Sequence, residues 1–380
     1  MGKSKKGMGF WLKALLGLNF LVIIALLLSY LSCYVSPVKF WIPAFAGLAF
    51  PYILLANIVF VVLWLFIRMK FSLFSLVTII LGFNQIMASF QFHSGSKALV
   101  DKDYFKVISY NVRNFDLYSY DKNWVSNTSK RNKIFKFLQT ESPDIICFQE
   151  FVNDVSGKFK TKDTLVTFLK TKNVHAEYTV VSKKVNEFGL ATLTSFPIVN
   201  KGRIDFPNSR TNLCIYTDVL VGTDTLRIYN AHFESIHFSH ADMLFAEKIT
   251  AVKTEKDEKL QDKSERILKL MKIAFQKRAV QADLVADHIK TSPYPVILCT
   301  DMNDTPVSYA YHRLKKNLKD AFTESGSGSG HTYTGFYPSF RIDYILISEA
   351  LQAANFASIP SDNSDHYPVR CFIKMKPKSK

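Results

Sequence analysis

The chain has 380 residues, and its 48 lysines and arginines outnumber its 32 aspartates and glutamates, giving a formal net charge of +16. That length exceeds the usual size of a single domain. Residues 1–93 contain seven basic side chains and no acidic one, whereas all 32 acidic side chains lie in residues 94–380. This abrupt change excludes one uniform soluble domain, so the two regions must have different surroundings.

Three long apolar stretches occupy the first region, and each reaches the ~20 residues that a transmembrane helix needs. They predict a membrane anchor over residues 1–93. Its three transmembrane helices are expected at about residues 11–34, 40–67 and 71–90. The alternatives are a cleaved signal peptide or a lipoprotein site at Cys33. The two further spans argue against cleavage, and Tyr30 stands where lipoprotein sites carry a small aliphatic residue.

Positive charges predict the orientation of this anchor, because basic residues favour the cytoplasmic side of a membrane. Four lysines precede or begin the first span, and only Lys39 lies between the first two spans. Arg68 and Lys70 form the short link between the second and third. The amino terminus is therefore expected in the cytoplasm. The chain is predicted to be an integral inner or plasma membrane protein with an extracytoplasmic domain, periplasmic in a Gram-negative bacterium.

Residues 94–104 are predicted to be a polar linker, followed by a second domain over residues 105–376. Its first strand begins at Phe105, where apolar and polar side chains start to alternate. A helix with apolar side chains on one side is expected over residues 130–139. A buried strand then leads to Glu150. The beginning of this domain therefore predicts alternating strands and helices.

Later segments of the domain favour a two-sheet sandwich. A hairpin is predicted over residues 213–232, which an all-parallel sheet would lack. Residues 253–265 are strongly charged and are expected to form a solvated helical insertion. A buried strand follows over residues 295–301. The glycine-serine repeat at residues 325–330 is predicted to be a flexible loop beside the functional site, because no phosphate-binding Lys-Ser/Thr pattern follows it.

Six probable strand ends carry a carboxylate, an amide or an imidazole. The segments are Ser-Tyr-Asn111, Cys-Phe-Gln-Glu150, Tyr-Asn-Ala-His232, Thr-Asp301-Met-Asn303, Arg-Ile-Asp343-Tyr and Ser-Asp365-His366-Tyr-Pro. Polar groups repeated at the ends of otherwise apolar strands predict a shared rim at which they converge. Cysteines in the same domain show no metal-type spacing and are expected to be small buried hydrophobes without disulfides.

The order and chemistry of these segments resemble the endonuclease/exonuclease/phosphatase superfamily of DNase I-like phosphohydrolases. The resemblance covers roughly residues 106–374 and implies an α/β fold, a four-layer α/β/β/α sandwich, here preceded by three transmembrane helices. Two departures from the family pattern stand out. Thr300 replaces a glycine before Asp301, and the arginine expected in a Ser-Arg-x-Pro-Ile segment is missing, with Phe196 in the position before Pro197.

The resemblance implies a site for Mg²⁺ or Mn²⁺, whose preference for hard oxygen ligands suits carboxylates. Glu150 is the first expected ligand. Asp365 and Asn111 are further expected metal contacts, and Asn111 is also expected to contact the phosphate. The alternative for Glu150 is an ordinary solvated residue at a strand end.

The remaining implied roles divide between catalysis and substrate binding. Asp301 is expected to hold or deprotonate the attacking water, and Asn303 to donate hydrogen bonds to phosphate oxygens. His366 is expected to face the scissile phosphate while Asp343 accepts its other N–H. His232 is expected to donate to a phosphate oxygen or assist the leaving group. Three further substrate contacts are suggested by their position beside catalytic segments: Arg341, Tyr333 and Arg113.

The sequence therefore predicts a membrane-tethered, metal-dependent phosphoesterase that hydrolyses phosphodiester bonds with metal-activated water and is nuclease-like. The alternatives are a sphingomyelinase-like phosphodiesterase acting on phospholipid or lipid-glycan head groups, a phosphatase, or a non-catalytic scaffold. Residues 94–380 carry a net charge of +9. That charge suits nucleic acid and anionic lipid equally well, so it does not choose between them.

Overall fold

The structure is a computed structural model, in which the following residues are described: 9–92, 99–119, 128–156, 159, 161–169, 173–182, 184–207, 209–236, 260–335 and 340–377. Two predicted segments lie partly outside this description. They are residues 94–98 of the linker and residues 253–259 of the charged insertion.

The helices are α1 (Phe10–Leu31), α2 (Ile42–Leu48), α3 (Phe50–Ile67), α4 (Ser72–Leu81), α5 (Phe83–Ser89), α6 (Ser129–Glu141), α7 (Lys162–Phe168), α8 (Leu260–Lys290), α9 (Tyr309–Lys315) and α10 (Ala321–Ser325). The strands are β1 (Gln91–Phe92), β2 (Phe105–Asn111), β3 (Ile145–Asp154), β4 (Asn173–Ser182), β5 (Asn186–Thr194), β6 (Ile198–Asp205), β7 (Leu213–Val221), β8 (Asp224–His232), β9 (Val296–Asp301), β10 (Lys319–Asp320), β11 (Ser327–Gly328), β12 (Asp343–Ile347), β13 (Leu351–Ser358) and β14 (Val369–Met375).

Among the described residues, α1 and α3 are the two helices that are individually long and apolar enough to cross a membrane. Residues 69–81, which include α4, pass the same test only together with α5, and the two parts are bent by 62°. The third apolar helix predicted at about residues 71–90 is therefore present as a bent pair rather than as one straight helix. The bend lies at Gly82, where a Cβ atom would come within 2.1 Å of the Tyr30 ring. The glycine lets α1 approach the bend closely.

The second predicted span is also divided, because α2 ends before α3 begins. A single helix through this region would place Pro51 in its interior. There the ring would clash with the carbonyl of Gly47, and the proline would have no N–H to donate. In the structure Pro51 instead lies in the first turn of α3, where the missing N–H costs nothing.

Two six-stranded sheets form the second domain. One has the order β10-β12-β9-β8-β7-β6, and the other has the order β13-β14-β2-β3-β5-β4. Apolar side chains of both sheets form the core between them, including Val107 and Cys147 from one sheet and Ile228 and Cys299 from the other. The pairs β2/β3 and β8/β9 are parallel, whereas every other named pair is antiparallel.

Helices cover the outer face of each sheet. The side chains of α6 join one outer core with β2, β3 and β5, whereas α8 and α9 join a second with β8, β9 and β12. The expected four-layer α/β/β/α sandwich is confirmed. The five cysteines of the sequence are free and buried, as small apolar residues would be.

The N-terminal helices pack against the outer helical layer of the sandwich. The rings of Phe45 in α2 and Phe275 in α8 lie 5.1 Å apart, and the Lys272 ammonium lies 5.2 Å above the Trp41 ring. Strand β1 also pairs antiparallel with β11, which places Gln91 opposite Gly328. The glycine-serine repeat predicted to be a flexible loop therefore joins the N-terminal region to the sandwich.

Candidate active site

Strand pairing brings the predicted polar residues to one rim of the sandwich. The parallel register of β8 and β9 places His232 beside Asp301, and the antiparallel register of β9 and β12 places Asp343 on the other side of Asp301. In the second sheet, β2 ends at Asn111. Because β2 and β3 run parallel, Glu150 follows directly on the same rim.

Asn111 connects the two sheets across this rim. Its side-chain nitrogen donates to Asp301 Oδ2 at 2.8 Å and to Glu150 Oε1 at 3.2 Å. Its amide oxygen accepts from the backbone N–H of Arg113 at 3.0 Å. In this arrangement the amide nitrogen, rather than the oxygen expected of a metal ligand, faces the carboxylates.

His232 and Asn303 complete the side of the site formed by β8 and β9. His232 Nε2 lies 3.5 Å from Asp301 Oδ2 and 3.7 Å from Glu150 Oε1. Asn303 Nδ2 lies 3.3 Å from the same nitrogen and donates to Phe233 O at 3.0 Å. The backbone N–H of Asn303 donates to Asp301 Oδ1 at 2.9 Å. These contacts orient both carboxylates and the imidazole toward one point.

His366 and Asp343 form the predicted pair. His366 Nδ1 lies 3.0 Å from Asp343 Oδ2, while Nε2 lies 3.8 Å from Asp301 Oδ2. The backbone N–H of Asp343 donates to Thr332 Oγ1 at 3.1 Å. The second carboxylate oxygen of Asp343 has no hydrogen-bond partner among the residues that the structure describes. The pair is buried, so its orientation is fixed by packing as well as by the hydrogen bond.

A positive φ at two positions directs their side chains toward the site. Glu150 has φ +49° and Asn303 has φ +52°, values that are uncommon outside glycine. The register between β3 and β5 shifts between Phe148 and Phe151, which makes an irregularity in the ladder at Glu150. Such irregularities re-aim side chains, and Glu150 is the one residue of β3 that is not fully buried.

Burial and neighbouring charges set the protonation of the cluster. Burial raises the pKa of Asp301, and the His366 and His232 imidazoles oppose that rise. Burial alone would lower the pKa of His366, but the Asp343 and Asp301 carboxylates outweigh it and raise that pKa to about 10. His366 is therefore positively charged at neutral pH in this structure.

A divalent cation fits the chemistry of the donor set. Glu150 and Asp301 converge on the neutral Asn111 amide without a lysine or arginine between them among the described residues. Atoms of Asp301, Asp343 and His366 also lie within 4.8 Å of one another, and because a charged imidazole has no free lone pair, the two carboxylates are the ligands that this group offers to a cation. Hard carboxylate oxygens of this kind suit Mg²⁺ or Mn²⁺.

Three of the predicted contacts lie at the edge of the cluster. Asp365 Oδ2 is 3.5 Å from Arg113 Nε, so these two side chains form an ion pair. The Tyr333 ring centroid lies 5.1 Å from that of His366. A cleft of about 460 Å³ opens beside Glu150 and His232. Arg113 and Tyr333 thus remain near enough to the cluster to meet a substrate.

The structure does not place Arg341 in the site. Its side chain is buried and donates to Asp320 Oδ2 at 2.8 Å and to the carbonyl of Ala88 at 2.6 Å. Its guanidinium lies 4.3 Å from the Phe322 ring centroid. A guanidinium enclosed in this way is not available to a substrate. The prediction was wrong because it rested on closeness to Asp343 in sequence, whereas Arg341 precedes β12 and its side chain packs against Asp320 and Ala88, which are distant in sequence.

Two buried amides that support the site were not predicted to have a role. Gln149 Nε2 donates to Asn230 Oδ1 at 2.8 Å and to Ser109 Oγ at 3.1 Å, linking the two sheets. Asn230 Nδ2 in turn donates to the carbonyls of Phe148 and Ala191, both at 3.1 Å. The signal was present, since each amide interrupts an apolar strand one or two residues before a predicted site residue.

A buried ion pair holds the loop that follows β9. Arg278 Nε in α8 lies 3.0 Å from Asp304 Oδ2, and its Nη1 donates to Glu234 O at 3.0 Å. Gln281 accepts from the backbone N–H of Glu234 at 2.9 Å. The segments after His232 and Asn303 are thereby fixed to the same helix.

Comparisons with known proteins agree with this geometry. Residues 108–366 match the model of the Endonuclease/Exonuclease/phosphatase family, a range that contains every residue of the cluster. The chain belongs to this family. Residues 12–89 match a separate family described as a domain of unknown function. Among curated proteins, none matches the chain.

Several solved structures share the fold. A family member from Beutenbergia cavernae has 15% identity and a TM-score of 0.50, covering 72% of each chain. The catalytic domain of human Nocturnin, solved with bound sulfate, has 17% identity and a TM-score of 0.51, covering 74% of this chain and 97% of its own. A family protein from Bacteroides thetaiotaomicron has 16% identity and a TM-score of 0.50, with coverages of 72% and 98%.

Proposed function

We propose that the chain is a membrane-tethered, divalent-metal-dependent phosphoesterase that cleaves phosphodiester bonds. The observation that carries this proposal is the convergence of two carboxylates, Glu150 and Asp301, with two imidazoles, His232 and His366, on one rim. Phosphodiesters resist hydrolysis because their negative charge repels nucleophiles and the leaving alkoxide is poor. This set of groups can neutralise charge and orient water, which are the two requirements.

Metal binding is assigned to the carboxylate side of the rim. Glu150 would be the main ligand for Mg²⁺ or Mn²⁺, with Asp365 as a further expected contact and Asp301 close by, while the Asn111 amide would orient the two carboxylates. When bound, the cation would supply positive charge to the phosphate oxygens and lower the pKa of a coordinated water. Burial and the neighbouring Asp343 carboxylate raise the pKa of Asp301, and this supports a cation here, because a positive charge would stabilise the ionised carboxylate.

The chain's own residues would position and activate the reactants. Asp301, fixed by the Asn303 N–H, would accept a proton from the attacking water. Asn303 and His232 would donate hydrogen bonds to phosphate oxygens. His366, held by Asp343, would place its charged Nε2–H toward the phosphate and stabilise the charge that develops in the transition state.

Two substrate classes follow from the family and the charge of the domain. A nuclease-like enzyme would use the net charge of +9 to attract nucleic acid, and its affinity would fall steeply with salt. A head-group phosphodiesterase would act on phospholipids or lipid-linked glycans. A phosphatase and a non-catalytic scaffold are weaker alternatives, the latter because the acidic and imidazole groups of the rim are all present.

One observation favours the lipid head group. Val307 follows Asn303 by four residues, and its carbonyl accepts a hydrogen bond at 2.8 Å from Ser32, directly after α1 ends. Gly47 touches the same carbonyl so closely that a Cβ would lie 2.3 Å away. If α1 and α3 cross the membrane, the catalytic rim would lie within about 15 Å of the membrane-side contact, given the reach of four residues. The site would then face a two-dimensional substrate.

We assign to the membrane anchor the orientation that its positive charges predict, with the sandwich on the extracytoplasmic side. In a Gram-negative bacterium this compartment would be the periplasm. The exposed apolar surfaces of α1 and α3, which include Leu21 and Phe66, support insertion of these helices in the inner or plasma membrane.

A substrate panel with full-length protein in proteoliposomes tests these assignments. We expect Mg²⁺-dependent release of head groups from the embedded lipids, and loss of that release in Asp301→Asn. DNA, RNA and phosphomonoesters should turn over more slowly. Cleavage of nucleic acid alone, with a steep loss at high salt, would make the enzyme a tethered nuclease instead. No Mg²⁺-dependent turnover of any substrate would contradict the phosphoesterase proposal.

A further inference from the structure

A cavity of about 240 Å³ lies between the N-terminal helices and the sandwich, apart from the catalytic rim. One wall comes from the end of the first helical segment and from α5, including Tyr34, Asn84 and Gln85. The opposite wall comes from α9 and the residue after it, including Lys315 and Lys316. The cavity therefore joins residues of the predicted membrane anchor to cationic residues of the soluble domain.

The charges on α9 are unequally balanced. Arg313 is neutralised by Asp283 and Asp287, at 2.6 Å and 2.8 Å. Lys315 and Lys316, by contrast, form no ion pair within the part of the chain that the structure describes. The Lys315 ammonium lies 5.6 Å from the Tyr311 ring centroid, on the wall of the cavity. An excess of positive charge thus faces the cavity.

The positive charges of Lys315 and Lys316 also affect the neighbouring groups. Burial lowers the pKa of His312, and the charges of Lys315 and Lys316 lower it further. The His312 ring packs edge-on against Tyr34, with centroids 4.6 Å apart. Burial also lowers the pKa of Lys315, because little water reaches its ammonium. The Asp320 carboxylate opposes this lowering in part, and a bound anion would oppose it further.

The surroundings of the cavity are amphipathic. Leu31 at the end of α1, Leu81 at the end of α4 and Phe83 at the start of α5 are 40%, 69% and 60% exposed. These apolar side chains lie in or next to the elements that supply the polar wall. Asn84 and Gln85 are the two amide side chains in the apolar stretch at residues 71–90. Apolar surface beside a cationic cavity matches a molecule with a phosphate head and hydrocarbon chains.

We propose that this cavity binds the head group of an anionic phospholipid through Lys315 and Lys316, with the acyl chains against the exposed apolar side chains of α1, α4 and α5. Each lysine near a membrane surface strengthens binding of anionic lipid, so two lysines together give a substantial preference over a zwitterionic lipid. The bound lipid joins α9 to the anchor beside Pro306, which lines the same cavity and lies in the loop after Asn303. This inference rests on the proposed membrane tethering but not on the proposed hydrolysis.

Native mass spectrometry of the full-length protein released from nanodiscs tests this site without requiring turnover. The nanodiscs contain equal amounts of phosphatidylglycerol and phosphatidylcholine. We expect the protein to retain phosphatidylglycerol preferentially, and the double variant Lys315→Gln/Lys316→Gln to lose about tenfold or more of that preference. The matched control is Lys133→Gln/Lys136→Gln, which removes two exposed lysines from α6 in the opposite helical layer and should leave the preference unchanged.

Competition by soluble phosphates distinguishes a lipid ligand from a free anion. Inorganic phosphate and glycerol phosphate should compete only weakly, because they lack the acyl chains. The proposal would be overturned if wild type and the Lys315/Lys316 double variant retained phosphatidylglycerol equally. It would also be overturned if the α6 control lost the preference for phosphatidylglycerol to the same extent as the double variant. Binding of inorganic phosphate without any preference among lipids would replace the lipid by a soluble anion. Failure of the protein to enter nanodiscs would instead contradict the tethering.

Discussion

Replacing His366 by alanine is expected to lower turnover about a thousandfold, within the range of 10²–10⁴ that a positioned proton-transfer or charge-stabilising group contributes. The physical reason is the position of Nε2, 3.8 Å from Asp301 Oδ2 on the rim where a phosphate would bind. The change should appear in kcat with the substrate that the panel identifies. Steady-state kinetics of the purified full-length variant provide the measurement.

Two variants separate this role from a general effect of removing an imidazole. Asp343→Asn keeps the shape of the side chain but removes the charge that orients His366, so we expect a smaller fall in kcat. His288→Ala removes a histidine that contacts Tyr229 in the outer helical layer, and its kcat should match wild type. A His366→Ala enzyme with wild-type turnover would contradict the assigned role, as would an equal loss in His288→Ala.

Removing the Asp320 carboxylate is expected to destabilise the protein by about 3–5 kcal/mol, because the buried Arg341 guanidinium would lose its charged partner. Asp320 Oδ2 also accepts a hydrogen bond from Tyr311 at 2.8 Å. Asp320→Ala should therefore lower the melting temperature of the detergent-solubilised protein by about 5–10 °C. Thermal unfolding followed by circular dichroism measures this shift.

The double variant Asp320→Leu/Arg341→Met is the matched control. It replaces both charges by apolar side chains of similar size, so we expect much of the lost stability to return. This pair also decides what Arg341 does. If Arg341 were a substrate contact, Arg341→Met would raise KM without lowering the melting temperature. The buried contacts with Asp320 and Ala88 predict the reverse.

Much of the sandwich and its rim could be predicted from local patterns. Apolar runs ending in Asn111, His232 and Asp301 mark strands, and strand ends of parallel pairs meet at one edge. The registers that bring Asp343 beside Asp301 could not be obtained this way, because register depends on contacts distant in sequence. The positive φ of Glu150 is likewise a tertiary effect, which no local propensity indicates.

Hydropathy predicted the apolar region but not its breaks. A window of apolar residues averages over Pro51 and Gly82, although one lies in the first turn of a new helix and the other permits a sharp bend. The docking of this region on the sandwich was also beyond sequence analysis. It rests on single contacts such as Ser32 with Val307 and Arg341 with Ala88, between residues more than 250 positions apart.

The most direct test of the central claim is the Mg²⁺ dependence of phosphodiester hydrolysis in wild type and Glu150→Gln, measured with metal-stripped full-length protein. We expect no turnover in EDTA, recovery with Mg²⁺, and a half-maximal Mg²⁺ concentration at least about tenfold higher in Glu150→Gln, because the variant loses a charged oxygen ligand. Undiminished turnover in EDTA, or an identical Mg²⁺ requirement in the two proteins, would contradict a metal-dependent site at this rim.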